Sequence, residues 1–252
     1  MSWVVCPYSD HDYDTVVALH DAVYPTYRAQ PAEWHAAAQF DELRAQPHRC
    51  IAVTPLCASR RRTAVLGGVQ MRAAFLDLNG TLVEPVRVTE LQELSVLPRA
   101  IEAVRLLNQA HFLCPVVTVQ SRISKAFFSL HDFSVWFTAL QQQFDLAGAR
   151  LLGPYVCPHQ RRDDCLCKKP QTQLYLQAAH EHAIDLSQSI VIGDTYDDVA
   201  AAQALGIPGC LVRTGWGEHN IQHKQADRIA SVVATDILDV ARWAVMHVPI
   251  SS

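Results

Sequence analysis

The stretch Ala73-Ala74-Phe75-Leu76-Asp77-Leu78-Asn79-Gly80-Thr81-Leu82 decides how the rest of the chain is read. Four apolar residues in a row, bounded by a carboxylate, make a short buried strand that stops at Asp77. Gly80 frees the backbone to curl directly after it, and Thr81 can donate a hydrogen bond from that curl. The same grammar recurs downstream. Val116-Val117-Thr118-Val119 follows Pro115, which is tolerated at a strand start but not in mid-sheet, so this strand is expected to begin after the proline. Ser189-Ile190-Val191-Ile192 runs into Gly193-Asp194, and Cys210-Leu211-Val212 forms one more strand.

Helical patterns separate these runs. Pro98 suits a first turn, with Ile101, Val104 and Leu107 recurring behind it at helical spacing. Further helices are expected at about 133–144 and 174–182, and a last one carries Val199 and Ala202 on one face and stops at Gly206. Strand and helix in alternation indicate an α/β fold over residues 73–252, a Rossmann-like parallel sheet flanked by helices. The short interval after Asp77 leaves room for a small cap or none. Residues 1–72 differ in character. A helical stretch with Val16, Leu19 and Val23, an aromatic turn at 24–27 and short strands near 51–53 and 65–69 make them a small α+β appendage.

With 252 residues, half of them apolar, the chain can bury a substantial core. Its formal charge of -4 is spread without long like-charged blocks, which argues against a nucleic-acid surface and against a polybasic membrane contact. No apolar run approaches the roughly 20 residues that a bilayer needs, and the N-terminus does not read as a secretion signal, so the cytoplasm is the expected location.

A second stretch carries metal chemistry: Cys157-Pro158-His159-Gln160-Arg161-Arg162-Asp163-Asp164-Cys165-Leu166-Cys167-Lys168-Lys169-Pro170. Cys157, His159, Cys165 and Cys167 form a closed set of three thiolates and an imidazole, which suits a structural zinc ion with no open position for water. Such an ion would lock the loop 157–167 and so place Lys169. The five other cysteines, Cys6, Cys50, Cys57, Cys114 and Cys210, are odd in number and scattered, which points to reduced thiols.

Ligands gather beyond the carboxyl ends of strands in open parallel sheets, and the polar residues stationed there form a coherent set. Asp77 ends the first strand, Thr118 with Gln120 and Ser121 ends the second, Lys169 follows the cysteine loop, and Asp194 with Asp198 completes the group. An attacking carboxylate, a second one sharing magnesium with it, a hydroxyl and an ammonium group are the requirements of phosphoryl transfer through an aspartyl-phosphate. Magnesium takes hard oxygen ligands, here Asp77, Asp194 and a backbone carbonyl. The expected partner is a small phosphorylated metabolite. His180, His182, His219 and His223 lack ligand spacing, and Trp216, between Gly215 and Gly217, is expected to pack in the core or a loop, the alternative being a place at the border of the pocket.

The order Asp77-Leu78-Asn79-Gly80-Thr81, Thr118-Val119-Gln120-Ser121, the cysteine loop before Lys168-Lys169-Pro170, and Gly193-Asp194-Thr195-Tyr196-Asp197-Asp198 resembles the haloacid dehalogenase (HAD) superfamily. Its zinc-loop branch, which contains the heptose 1,7-bisphosphate and histidinol-phosphate phosphatases, is the best match, over about residues 73–217. The resemblance implies that Asp77 is nucleophile and magnesium ligand, that residue 79 adds a metal ligand through its backbone carbonyl, and that Asp194 is a further ligand with Asp198 nearby. It implies phosphate contacts from Thr118, Gln120 and Ser121, a phosphate-binding cation at Lys169, and a substrate contact at Lys168, where the branch commonly has Arg.

Two departures leave two readings open. Hydrolytic members usually carry Asp as general acid and base two residues after the nucleophile, where this chain has Asn79, and Val119 with Arg122 replaces the branch's usual Asn and Gly. One reading is a magnesium-dependent phosphatase of a small sugar or amino-alcohol phosphate, heptose bisphosphate-like, slowed by Asn79. The other is a catalytically impaired phosphate-binding or regulatory protein. A weaker resemblance links residues 17–34 and the strands after them to the opening of the GCN5-related N-acetyltransferases. The pyrophosphate-binding turn of those enzymes is missing, because the strand at 73–76 begins in its place, so the segment reads as a truncated relic or docking appendage.

Overall fold

The computed structural model describes residues 71–248, and the expectations for residues 1–70 lie outside the described residues. The first strand, β1 (Arg72–Leu76), is fully buried and is the centre of a seven-stranded sheet. A short hairpin of β2 (Val83–Glu84) and β3 (Ser95–Val96) follows, then helix α1 (Ala100–Gln109). The hairpin is the whole of the insertion after Asp77, in line with the expectation of a small cap. Strands β4 (Phe112–Leu113) and β5 (Pro115–Val119) come next, then α2 (Leu130–Leu146) and β6 (Leu152–Cys157). The chain continues through α3 (Gln173–Glu181), β7 (Ile190–Gly193), α4 (Tyr196–Leu205), β8 (Gly209–Val212), α5 (Gly217–Lys224), β9 (Val232–Ala234) and α6 (Ile237–His247).

The strand order is β6-β5-β1-β7-β8-β9, with β4 also pairing with β1, and every pair in this sheet is parallel. After β1 the chain builds outward through β5 and β6, then returns to the other side of β1 with β7. The reversal falls between β1 and β7, which is where a parallel sheet opens a crevice beyond its strand ends. Asp77 leaves one lip of that crevice and Asp194 the other.

Strand alternation divides the core into two layers. Ala74, Leu76, Ile190 and Ile192 face α1, α2 and α6, with Val104, Leu107, Phe133, Phe137, Leu238 and Ala241 packed against them. Ala73, Phe75, Val117 and Val191 face α3 and α4, meeting Leu174, Tyr175, Ala178, Ala201 and Ala202. Each of the large side chains so buried stabilises the fold by roughly 1.5–3 kcal/mol. Sheets covered on both faces need apolar residues at every strand position, which is why the strands read as continuous aliphatic runs.

The structure corrects one detail of the sequence reading. Pro115 is the first residue of β5, paired with Leu152 of β6, and the register shifts between Pro115 and Val117. The irregularity accommodates the missing N–H at the strand's entry, so the proline is inside the strand without breaking its interior ladder. The hairpin of β2 and β3 and strand β9 are too short to read from periodicity, at two residues for each hairpin strand and three for β9, and helices α5 and α6 are elements beyond the sequence reading.

Candidate active site

Asp77 is the first residue beyond β1, and its N–H is held by the carbonyl of Ile192 at 2.9 Å, so the carboxylate is fixed across the crevice to β7. Lys169 is 5% exposed and donates to Asp77 Oδ1 and Asp198 Oδ1, both at 2.6 Å. Asp198 serves two purposes. Its Oδ2 accepts from Thr195 N–H and the Thr195 hydroxyl in a reciprocal cap of helix α4, while its Oδ1 anchors the lysine. The strand end at Gly193, the cap and the cation are thereby one unit. Asp194, fully buried, accepts at Oδ2 from the backbone N–H of Trp216 at 2.7 Å.

The backbone around Asp194 leaves no space for side chains. A Cβ on Gly80 (φ +91°) or on Gly215 (φ +56°) would lie 2.2 Å from Asp194 Oδ2. Both positions therefore need glycine for conformation and for space. The Thr214 hydroxyl donates to the Gly80 carbonyl at 2.6 Å and ties the two loops together.

The electrostatics show a surplus of negative charge. Burial pushes the Asp77 carboxyl up to about 6, against the pull of Lys169. Burial, with the charges of Asp77 and Asp198, raises Asp194 well above the usual carboxylate range. Burial alone would lower Lys169, but the Asp198 and Asp77 carboxylates outweigh it and hold the ammonium well above its ordinary value. One ammonium among two buried carboxylates and a third that is largely buried leaves the cluster short of positive charge. Oxygens of Asp77, Asp194 and Asp198 converge within 4.8 Å of one another, and Asp194 Oδ1 is buried without a hydrogen-bond partner. Such an orphaned oxygen in a charge-deficient cluster fits a hard cation such as magnesium. Asp198 has both oxygens engaged, so Asp77 and Asp194 are the side chains with capacity left to ligate.

A cavity of about 560 Å³ opens over these groups, lined by Asp77, Asn79, Thr118, Gln120, Ser121 and Lys168 among others. Thr118, Gln120, Ser121, Lys168 and Lys169, the residues expected to contact phosphate or substrate, all lie on its wall. Gln120 Nε2 donates to Asn79 Oδ1 at 2.7 Å and to Thr118 Oγ1 at 3.0 Å. Because Thr118 Oγ1 accepts from Gln120, its own proton is left to donate into the cavity. Sequence reading missed Arg87 from the small hairpin, Lys125 and Asp197, which also line the cavity. They sit in irregular segments or on a polar helix start, where an exposed charge carries no periodic signal. Trp216 contributes through its backbone N–H, which no side-chain pattern could disclose, and the Arg87 guanidinium lies over its ring at 5.1 Å.

The cysteine loop begins at the last residue of β6, beside the site. Cys157 Sγ lies 3.6 Å from Cys165 Sγ and 3.7 Å from His159 Nδ1, and His159 Nδ1 lies 3.2 Å from Cys167 Sγ. Sulfurs bound tetrahedrally at about 2.3 Å would stand about 3.8 Å apart, so the four side chains form a ready metal cradle. The Cys157 hydrogen bond draws the Cys167 thiol down to about 5, and the same pairing drives Cys157 upward. By contrast, burial pushes Cys114 and Cys210 up to about 12, as expected of inert core thiols.

Comparison with known proteins agrees with this geometry. The HAD-hydrolase-like family model matches residues 166–240. The D-glycero-D-manno-heptose-1,7-bisphosphate 7-phosphatase of Thermosynechococcus vestitus is 32% identical over 192 residues, covering 69% of this chain and 96% of that protein. The D-glycero-beta-D-manno-heptose-1,7-bisphosphate 7-phosphatase of Haemophilus influenzae is 32% identical over 184 residues, covering 68% and 95%. Among solved structures, the D,D-heptose 1,7-bisphosphate phosphatase of B. bronchiseptica, complexed with magnesium and phosphate, gives a TM-score of 0.65 at 25% identity, covering 70% of this chain and 99% of that one. The chain belongs to the HAD-like hydrolases, as a phosphatase of the branch that holds these heptose bisphosphate enzymes. The relatives favour an enzyme over the alternative of an impaired phosphate-binding protein. Among the described residues no helix is long and apolar enough to cross a membrane.

Proposed function

We propose that the chain is a magnesium-dependent phosphatase of a small phosphorylated sugar, of the heptose bisphosphate kind, working through an acyl phosphate on Asp77. The observation that carries this reading is the bridge of Lys169 between Asp77 and Asp198 beside the partnerless oxygen of Asp194. Lys169 holds Asp77 in one orientation, with Oδ1 tied and Oδ2 left to attack phosphorus. Thr118 and Ser121 receive the transferred group's oxygens, and Lys169 offsets the charge that gathers on them. Lys168, Arg87, Arg122 and Lys125 place further cations around the rest of the substrate. Magnesium, held by Asp77, Asp194 and the backbone carbonyl of residue 79, would supply neutralisation of the dianionic phosphate.

Zinc on Cys157, His159, Cys165 and Cys167 would act as an architectural clamp, fixing the loop from which Lys168 and Lys169 emerge. Thiolate ligands of this kind fit a reducing compartment, the cytoplasm. Residues 1–72 are taken as an appendage outside the catalytic unit. Its support is that 99% of the B. bronchiseptica enzyme corresponds to 70% of this chain.

The test is phosphate release from D-glycero-D-manno-heptose 1,7-bisphosphate and a panel of small sugar phosphates with magnesium. Release that needs magnesium and disappears in Asp77→Asn is expected. Equal release by wild type and Asp77→Asn would overturn the reading.

A further inference from the structure

We propose that this site is selective for phosphoryl donors whose leaving oxygen departs without a proton, namely acyl phosphates and anomeric sugar phosphates, and works poorly on phosphates of ordinary alcohols. The proposal rests on the phosphatase reading above and narrows its substrate class. Asn79 lies two residues along the same loop from the attacking carboxylate and lines the same cavity. Its Oδ1 is engaged by Gln120 Nε2 at 2.7 Å, so its Nδ2 is the end left to face outward. An amide N–H can hydrogen-bond a leaving oxygen, but it does not transfer a proton to it. The other carboxylates of the lining do not stand on this loop. Asp194 is enclosed by Gly80, Gly215 and the Trp216 N–H, and Asp197 belongs to helix α4 after the neighbouring strand. The cations Arg87, Arg122, Lys125 and Lys168 give the departing group charge compensation.

A cavity rich in cations, with an amide and not a carboxyl two residues after the nucleophile, suits a leaving oxygen of low basicity. In the first step an Asp77 oxygen bonds to phosphorus, the bond from phosphorus to the leaving oxygen breaks, and its electron pair stays on that oxygen. A carboxylate so formed leaves as the stable anion, whereas a hemiacetal anion takes a proton from water. In the second step a water oxygen bonds to phosphorus, the bond to Asp77 breaks with its pair returning to the carboxylate, and the surplus proton goes to solvent. No base at residue 79 assists that water, so the phosphorylated enzyme accumulates. On a sugar bisphosphate, the anomeric phosphate is the one expected to leave.

The experiment follows the first turnover of the full-length protein with magnesium on acetyl phosphate, a series of substituted phenyl phosphates and an alkyl phosphate. Wild type, Asn79→Asp and Asp197→Asn are compared, with phosphorylation of Asp77 read by intact mass. Gln120 can donate to a carboxylate as well as to an amide, so Asn79→Asp keeps the local bonding. The expected result is a burst of about one leaving group per site from activated donors, a steep fall in rate as the leaving oxygen becomes more basic, and a phosphorylated wild type. Asn79→Asp should raise the rate on the alkyl phosphate by about 10²- to 10⁴-fold while changing acetyl phosphate only slightly. A wild type that releases the alkyl group as fast as the activated ones overturns the proposal and leaves the phosphatase reading standing. Loss of that release in Asp197→Asn would then assign the proton to Asp197. No release from any donor by wild type or by Asn79→Asp overturns the phosphatase reading itself, and this inference with it.

Discussion

Two clusters of metal-seeking side chains flank Lys169, and they are assembled in opposite ways. The soft cluster, Cys157, His159, Cys165 and Cys167, comes from one loop of eleven residues, and its four donors meet because the loop folds on itself. The hard cluster draws Asp77 from β1's end, Asp194 from β7's end, Asp198 from the first turn of α4, and Lys169 from the loop between β6 and α3. Its members are brought together by the parallel pairing of β1 with β7 and by the buried ammonium. The difference teaches that a local site takes its donors from short-range spacing, whereas a non-local site is assembled by strand pairing and held by charge pairing within the fold. It also gives each cluster a distinct mode of failure.

The largest effect should come from the nucleophile. Asp77→Asn is expected to reduce phosphate release on the order of 10⁴- to 10⁶-fold, the scale on which removal of an attacking group acts. A steady-state assay with saturating magnesium checks this, and residual activity within tenfold of wild type would remove Asp77 from the chemistry. Next comes Lys169→Ala, which leaves buried carboxylates uncompensated. The expected loss of stability is about 3–5 kcal/mol by denaturant titration, partly recovered in the double variant Lys169→Ala with Asp198→Asn. Strict additivity of the two substitutions would show that the ion pair does not hold the hard cluster together.

The soft cluster should yield to its own test. Cys165→Ser is expected to lower bound zinc well below one equivalent and to reduce apparent stability by about 2–3 kcal/mol, the contribution of a ligand present at ~100 times its Kd. Metal analysis together with thermal unfolding would decide. A Cys165→Ser protein with full zinc would show that three ligands suffice.

The smallest effect is a pH dependence of the metal-free protein. Asp77 titrates at about 6 when folded against 3.8 for an ordinary aspartate, so the folded state holds its proton more tightly. The resulting contribution is complete below about pH 4 and is lost as pH rises through about 6. Thermal stability in chelator should therefore decline across that window, by an amount on the order of 1–3 kcal/mol, and the decline should flatten in Asp77→Asn. Identical profiles for the two proteins would mean that Asp77 is not the titrating group.

Much of this was legible in the chain. Aliphatic runs ending in Asp77 and Asp194, and polar Thr118 after Val116-Val117, identify strands buried on both faces with polar residues at their carboxyl ends, because only a two-sided core demands unbroken apolarity. The cysteine loop was legible because its spacing is itself the geometry. Asp198 was placed near the site from sequence, but its double duty as helix cap and lysine anchor was not readable, since nothing in the spacing of Lys169 and Asp198 says that they meet. Arg87 and Lys125 carried no signal, because surface charges have no period.

The sequence by itself determined the order of elements, the class of chemistry at the strand ends and the donor set of the loop, because these depend on residue type and short-range spacing. Only the tertiary structure decided that Gln120 turns the amide of Asn79, that glycines at 80 and 215 close over Asp194, and that Lys169 joins two carboxylates. Those outcomes depend on which strands lie side by side and on the free energy of burying charge, and both are properties of the folded chain as a whole.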